Sequence, residues 1–212
     1  MAKEPVSVAE PQFQILQDRD ATVYHRGEAP LQPGPGWLAL DVVGGLWHLR
    51  PATLRGERAR DEIADNDDGV RLHADPAGAL LYLRLPGLVA GKVDTPDLRF
   101  KDNARFIDST TALAIPFKGR LWNLDGRHGG LVLSEGSSQM SFQRMSARID
   151  SEFDAEAGLM LLWAGDLDRD GRLDFIFEGN GNNSTDVCVW LSSRAKPGEL
   201  LGEPACWHTI GC

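Results

Sequence analysis

From Phe13 onward the chain is a series of short apolar runs broken by turn residues. WLALDVV (37–43) and LWHLRPATL (46–54) flank Gly44-Gly45, a two-residue hairpin signal. VRLHA and ALLYLRL are separated by Asp75-Pro76-Ala77-Gly78, and TALAIPF, RLWNL and LVLS by Lys118-Gly119, Asp125-Gly126 and Gly129-Gly130. GLMLLW, LDFIFE and VCVWLSS follow near the end. Runs of four to eight residues at roughly ten-residue intervals, with Gly in the gaps, predict an all-β fold, a β-sandwich or barrel-like domain. Helical periodicity is thin, and its best candidate is the polar stretch Thr53–Ala64. No solenoid or propeller period is present. Residues 1–12, with Pro5 and Pro11 and no periodicity, read as a disordered lead-in; 13–212 read as one β-rich domain.

Composition narrows the functional classes. The chain has 212 residues, 42% hydrophobic and 25% charged, enough to bury a core and too apolar for intrinsic disorder. No run approaches the ~20 apolar residues of a membrane helix. The net charge of −9 disfavours nucleic acid and anionic membrane as partners. The charge is also concentrated: the 29 residues from Asp150 to Glu178 hold nine acidic and two basic side chains. A second acidic cluster, Asp61, Glu62, Asp65, Asp67 and Asp68, precedes Gly69.

Within the first cluster, residues 165–178 read GDLDRDGRLDFIFE, which contains D-x-D-x-D-G-x-x-D. Alternating carboxylates on a tightly wound loop converge on one centre, and Gly171 at the sixth position permits the sharp turn. The expected ligands are Asp166, Asp168, Asp170, the backbone carbonyl of Arg172, and Asp174, and hard oxygen donors in that number suit Ca²⁺. The alternative is an acidic turn that matches by chance. An EF-hand would place Glu at the twelfth position, where this chain has Phe177.

Strand-like runs on both sides complete the pattern: LLWAGDLDRDGRLDFIFE resembles the FG-GAP/VCBS-type calcium loop, which links two β-strands in integrin α-chain propellers and many bacterial surface proteins. The resemblance spans about 20 residues, in a single copy. More loosely, the last third is similar to stand-alone bacterial extracytoplasmic proteins that carry one such loop. Extracellular calcium modules bind at roughly 10⁻⁴–10⁻³ M, so a loop without the EF-hand Glu is expected to fill outside the cytoplasm. The expectation is a periplasmic or secreted protein, although MAKEPVSVAEPQ has no apolar signal core.

Cys188, Cys206 and Cys212 contain no CxxC pair and permit one internal disulfide at most; each of the three pairings, or three buried thiols, fits the sequence.

Catalytic signatures are missing. The five histidines form no HExxH, and neither GxSxG nor GxxxxGK[ST] occurs. EGNGNN (178–183) lacks the third Gly of a dinucleotide loop, and His128 beside Asp125-Gly126 reads as a loop residue. The chain therefore reads as a non-enzyme, with a hydrolase as the weaker option. The favoured expectation is a calcium-binding module that captures a protein partner, such as an inhibitor or immunity protein of a basic bacterial hydrolase, because acidic loops on a rigid β scaffold suit a basic partner. The alternative is calcium-dependent carbohydrate binding, since six Trp are present. Trp37, Trp47, Trp163 and Trp190 lie in apolar runs and read as core, which leaves Trp122 and Trp207, in polar surroundings, to stack on a sugar.

Overall fold

The computed structural model describes residues 13–17, 22–98, 106–107, 111–126, 131–136, 142–144, 159–181 and 183–210. The expected lead-in, the acidic residues 150–156, His128 and Cys212 lie outside them. The described residues are all-β, with a single turn of 3-10 helix at Ser192–Arg194. Among them no helix is long and apolar enough to cross a membrane.

Strands β1 (Ile15–Leu16), β2 (Val23–Tyr24), β3 (Trp37–Val43), β4 (Leu46–Asp61), β5 (Asn66–Asp75), β6 (Leu81–Leu83) and β7 (Gly91–Lys92) form the first sheet. Its order is β1-β6-β3-β4-β5-β2, with β7 also on β4. The β3–β4 turn is the expected Gly44-Gly45 hairpin, both glycines at positive φ (59° and 80°), the geometry that matches strand twist.

The helix expected over Thr53–Ala64 does not form. Strand β4 runs on through this stretch and pairs with β5 from Thr53↔Asp75 to Asp61↔Asn66. Local polar composition there suits a helix, but the β5 ladder is non-local and supplies what composition cannot show. Cross-strand polar contacts add to it: an ion pair of Arg58 with Asp68 at 3.6 Å and a hydrogen bond between His73 and Glu57 at 2.9 Å. Gly56 is required because another segment passes over it: a Cβ there would lie 2.4 Å from the Pro30 carbonyl oxygen.

The second sheet, ordered β16-β15-β14-β13-β8, contains β8 (Phe106–Ile107), β13 (Leu159–Gly165), β14 (Asp174–Asn180), β15 (Ser184–Trp190) and β16 (Ala205–Ile210). The third, ordered β12-β11-β10-β9, contains β9 (Ala112–Phe117), β10 (Arg120–Asp125), β11 (Val132–Glu135) and β12 (Phe142–Arg144).

The second sheet is buried on both faces. Ile176, Val187, Val189, Ala205 and Trp207 pack into one core with the first sheet; Phe175, Phe177, Cys188 and Trp190 pack into another with Ile115, Trp122, Leu124 and Leu133 of the third. The two-residue period of a strand sends successive side chains to opposite cores, which is why FIF (175–177) and VCVW (187–190) read as unbroken apolar runs. Each large side chain so buried contributes about 1.5–3 kcal/mol. Phe175 and Phe177 stack at 5.9 Å, and Trp190 meets Phe177 edge-on at 5.5 Å. Cys188 and Cys206, opposite each other on β15 and β16, are joined as a disulfide.

Trp122 and Trp207 are also core. Trp122 is fully buried against Phe175; Trp207 is buried, packs on Tyr24 and donates its indole N–H to the Glu28 carbonyl at 2.8 Å. Their polar sequence neighbours point the other way along the strand, so neither is placed to stack on a sugar.

Candidate metal centre

The loop between β13 and β14 is pinned at both ends by the cores it separates: Leu167 is buried in the first and Leu173 in the second. Its backbone must then turn within a few residues, and Arg169 and Gly171 take positive φ (65° and 86°) to do so. The outcome is that Asp166, Asp168 and Asp174 converge, with one oxygen from each within 4.8 Å of the others. This cluster could hold a metal ion. Asp166 and Asp174 are buried and Asp168 half-buried.

Each carboxylate is held in place. Asp174 Oδ2 accepts the Leu167 N–H at 2.7 Å and Oδ1 the Ser192 N–H at 2.7 Å. Asp168 accepts from the Ser193 hydroxyl and, at 3.3 Å, from the Asp170 N–H. Asp166 Oδ2 accepts the Gly171 N–H at 3.0 Å and the Lys118 ammonium at 2.6 Å; the same ammonium reaches Asp94 Oδ2 at 3.0 Å. Asp166 Oδ1 is buried and has no hydrogen-bond partner. A buried carboxylate oxygen without a donor is costly, and a cation at the cluster would satisfy it.

Electrostatics agree with that geometry. With the protein's own groups alone, burial first and then the charge of Asp168 push the Asp174 carboxyl up to about 8, against the hydrogen bonds from Ser192 and Leu167. The hydrogen bond to Asp166 first, and then the one to Asp94, raise the Lys118 pKa, outweighing its partial desolvation.

The converging trio does not include Asp170, and the side chain of Arg172, whose backbone carbonyl is the expected donor, is engaged elsewhere. Asp170 is exposed; its Oδ1 accepts the Arg172 N–H at 2.8 Å, and its Oδ2 lies 2.9 Å from the Ser192 hydroxyl. Arg172 sends its guanidinium away from the cluster, to the carbonyls of Leu200 (3.0 Å) and Ser192 (3.4 Å). Sequence reasoning misses Lys118, Asp94, Ser192 and Ser193. They come from three segments distant from the loop in sequence, and no local spacing announces them.

An open cleft of about 430 Å³ adjoins the cluster, lined by Leu46, Trp47, Asp94, Pro96, Phe117 and Lys118 among others. A second polar group lies elsewhere: His25 Nδ1 pairs with the buried Asp61, and the His25 N–H donates to Glu28 Oε2 at 2.8 Å. The hydrogen bond to Asp61 raises the His25 pKa, while the Ala64 N–H first and His25 second lower that of Asp61.

Comparison with protein-family models, with curated protein sequences and with solved structures gives no match.

Proposed function

We propose that the 165–178 loop is a calcium site and that the protein is a non-enzymatic, extracytoplasmic module that uses this stiffened scaffold to bind a basic protein partner. The observation that carries the calcium reading is the buried, unpartnered Asp166 Oδ1 beside Asp168 and Asp174. An all-carboxylate donor set is hard, which favours Ca²⁺ or Mg²⁺ over thiophilic ions. Calcium is preferred because Mg²⁺ demands near-ideal octahedral geometry, and the FG-GAP/VCBS-like spacing, which would add Asp170 and the Arg172 carbonyl as further donors, suits a larger shell.

The Cys188–Cys206 disulfide supports an oxidising compartment, in line with a periplasmic or secreted protein. The net charge of −9 supports a cationic partner, for which a hydrolase blocked by this protein is the favoured class. The burial of Trp122 and Trp207 weighs against carbohydrate binding.

Titration calorimetry with CaCl₂ on the wild type and on Asp168→Asn tests the metal. Heat of binding in the wild type, weakened in the variant, is the expected result; no binding in the wild type at millimolar calcium overturns it. Size-exclusion chromatography with purified cationic hydrolases tests the partner. A stoichiometric complex that dissociates in high salt is expected, and free elution with every hydrolase overturns that part.

A further inference from the structure

The two acidic side chains that meet Lys118 come from different layers. Asp166 follows β13 in the second sheet, and Asp94 lies just beyond β7 of the first; Lys118 itself sits in the turn of the β9–β10 hairpin in the third. Its backbone takes the left-handed conformation (φ 45°). Among the described residues, the ion pair to the Asp166–Asp168–Asp174 trio comes from Lys118. The other nearby cations are turned elsewhere: Lys92 Nζ is 4.0 Å from Asp94, Arg169 donates to the Val89 carbonyl at 3.1 Å, and Arg172 to those of Leu200 and Ser192.

We infer that Lys118 is a built-in counter-cation of the Asp166–Asp168–Asp174 site, which lowers the affinity for a divalent ion and ties occupancy of the site to the β9–β10 hairpin. This rests on the metal reading above. The Asp166 carboxylate divides the work: Oδ2 is taken by the ammonium and Oδ1 is left open. An ion at Oδ1 places two positive charges one carboxylate apart. The ion must either tolerate that repulsion or drive Lys118 off Asp166 onto Asp94. In both cases the cost is paid by the divalent ion, and in the second the hairpin turn moves with the ammonium. Without an ion, the same lysine offsets part of the repulsion among the aspartates and keeps the loop folded.

The test is calcium titration of the full chain, with thermal midpoints in EDTA and in calcium, for wild type, Lys118→Met, Lys118→Arg and Lys92→Met. Removing one unit charge a few ångströms from a divalent ion is expected to tighten calcium binding by about tenfold or more in Lys118→Met. Its midpoint in EDTA should fall while the rise on adding calcium grows. Lys118→Arg, which keeps the charge, and Lys92→Met, which removes an exposed charge nearby, should stay within about threefold of wild type. Binding by Lys118→Met that equals or falls below the wild type overturns this inference alone. Binding by neither overturns the metal reading and this inference with it.

Discussion

The backbone N–H of Ser192 donates to Asp174 Oδ1 at 2.7 Å, which fastens the segment after β15 to the first residue of β14. Asp174 is fully buried, and its other oxygen takes the Leu167 N–H. A residue in the position of a metal ligand is therefore also a buried bracket between two segments. Asp174→Ala would strand two buried N–H donors, each costing about 1–3 kcal/mol, so a loss of ~2–6 kcal/mol is expected. Urea unfolding in EDTA, where a metal contributes nothing, measures it. Asp170→Ala, at an exposed position, should lose less than about 1 kcal/mol in the same experiment.

Calcium should stabilise the native state by mass action. At a free concentration about 100 times Kd the gain is ~2.7 kcal/mol, visible as a rise in thermal midpoint. Asp168 is the half-buried member of the trio, and its partners are the Ser193 hydroxyl and a long contact from Asp170. Asp168→Ala should therefore keep most of its stability in EDTA and lose the calcium-dependent rise. An equal rise in wild type and variant would remove Asp168 from the site.

How much of this the sequence reveals differs between elements. The short apolar runs Phe175–Ile176–Phe177 and Val187–Cys188–Val189, rich in aromatic and β-branched residues and bounded by turn residues, are legible as strand, because length and composition are local properties of the chain. That both faces are buried depends on two other sheets, and no local pattern shows where those dock. Residues 53–64 read as a helix for the same reason: the partner that makes them a strand, β5, is known only once the chain has folded back. In the loop, the spacing of Asp166, Asp168 and Asp174 is legible and the structure brings those three together. Lys118, 48 residues from Asp166, is not, since an ion pair between sheets leaves no periodic trace.

The disulfide should carry a measurable share of stability. Cys188 and Cys206 are 18 residues apart, and a closed loop of that length restricts the unfolded chain by about 3 kcal/mol. Reduction under denaturing conditions followed by refolding in reductant, or Cys188→Ala with Cys206→Ala, should lower the urea midpoint accordingly. Intact-mass analysis after alkylation without reductant should show the pair protected; alkylation of both cysteines there would show that the bond is not formed.

Stability should also depend on pH through His25 and Asp61. The His25 pKa is raised in the native state, chiefly by its hydrogen bond to Asp61, so its contribution is complete below about pH 6.5 and is lost as pH rises through the raised native value. The Asp61 pKa is lowered, first by the Ala64 N–H and then by His25, so its contribution is complete above about pH 3.8 and is lost as pH falls through the lowered native value. Both contributions are therefore present together between about pH 4 and 6.5. Replacing His25 by Gln keeps a polar side chain but removes the titrating charge. The midpoint difference between wild type and His25→Gln should be largest near pH 5 and shrink by pH 9. Urea midpoints at those two pH values, taken in EDTA so that the aspartate loop binds no metal in either protein, decide it: a difference that stays constant or grows toward pH 9 would show that His25 is held neutral beside Asp61.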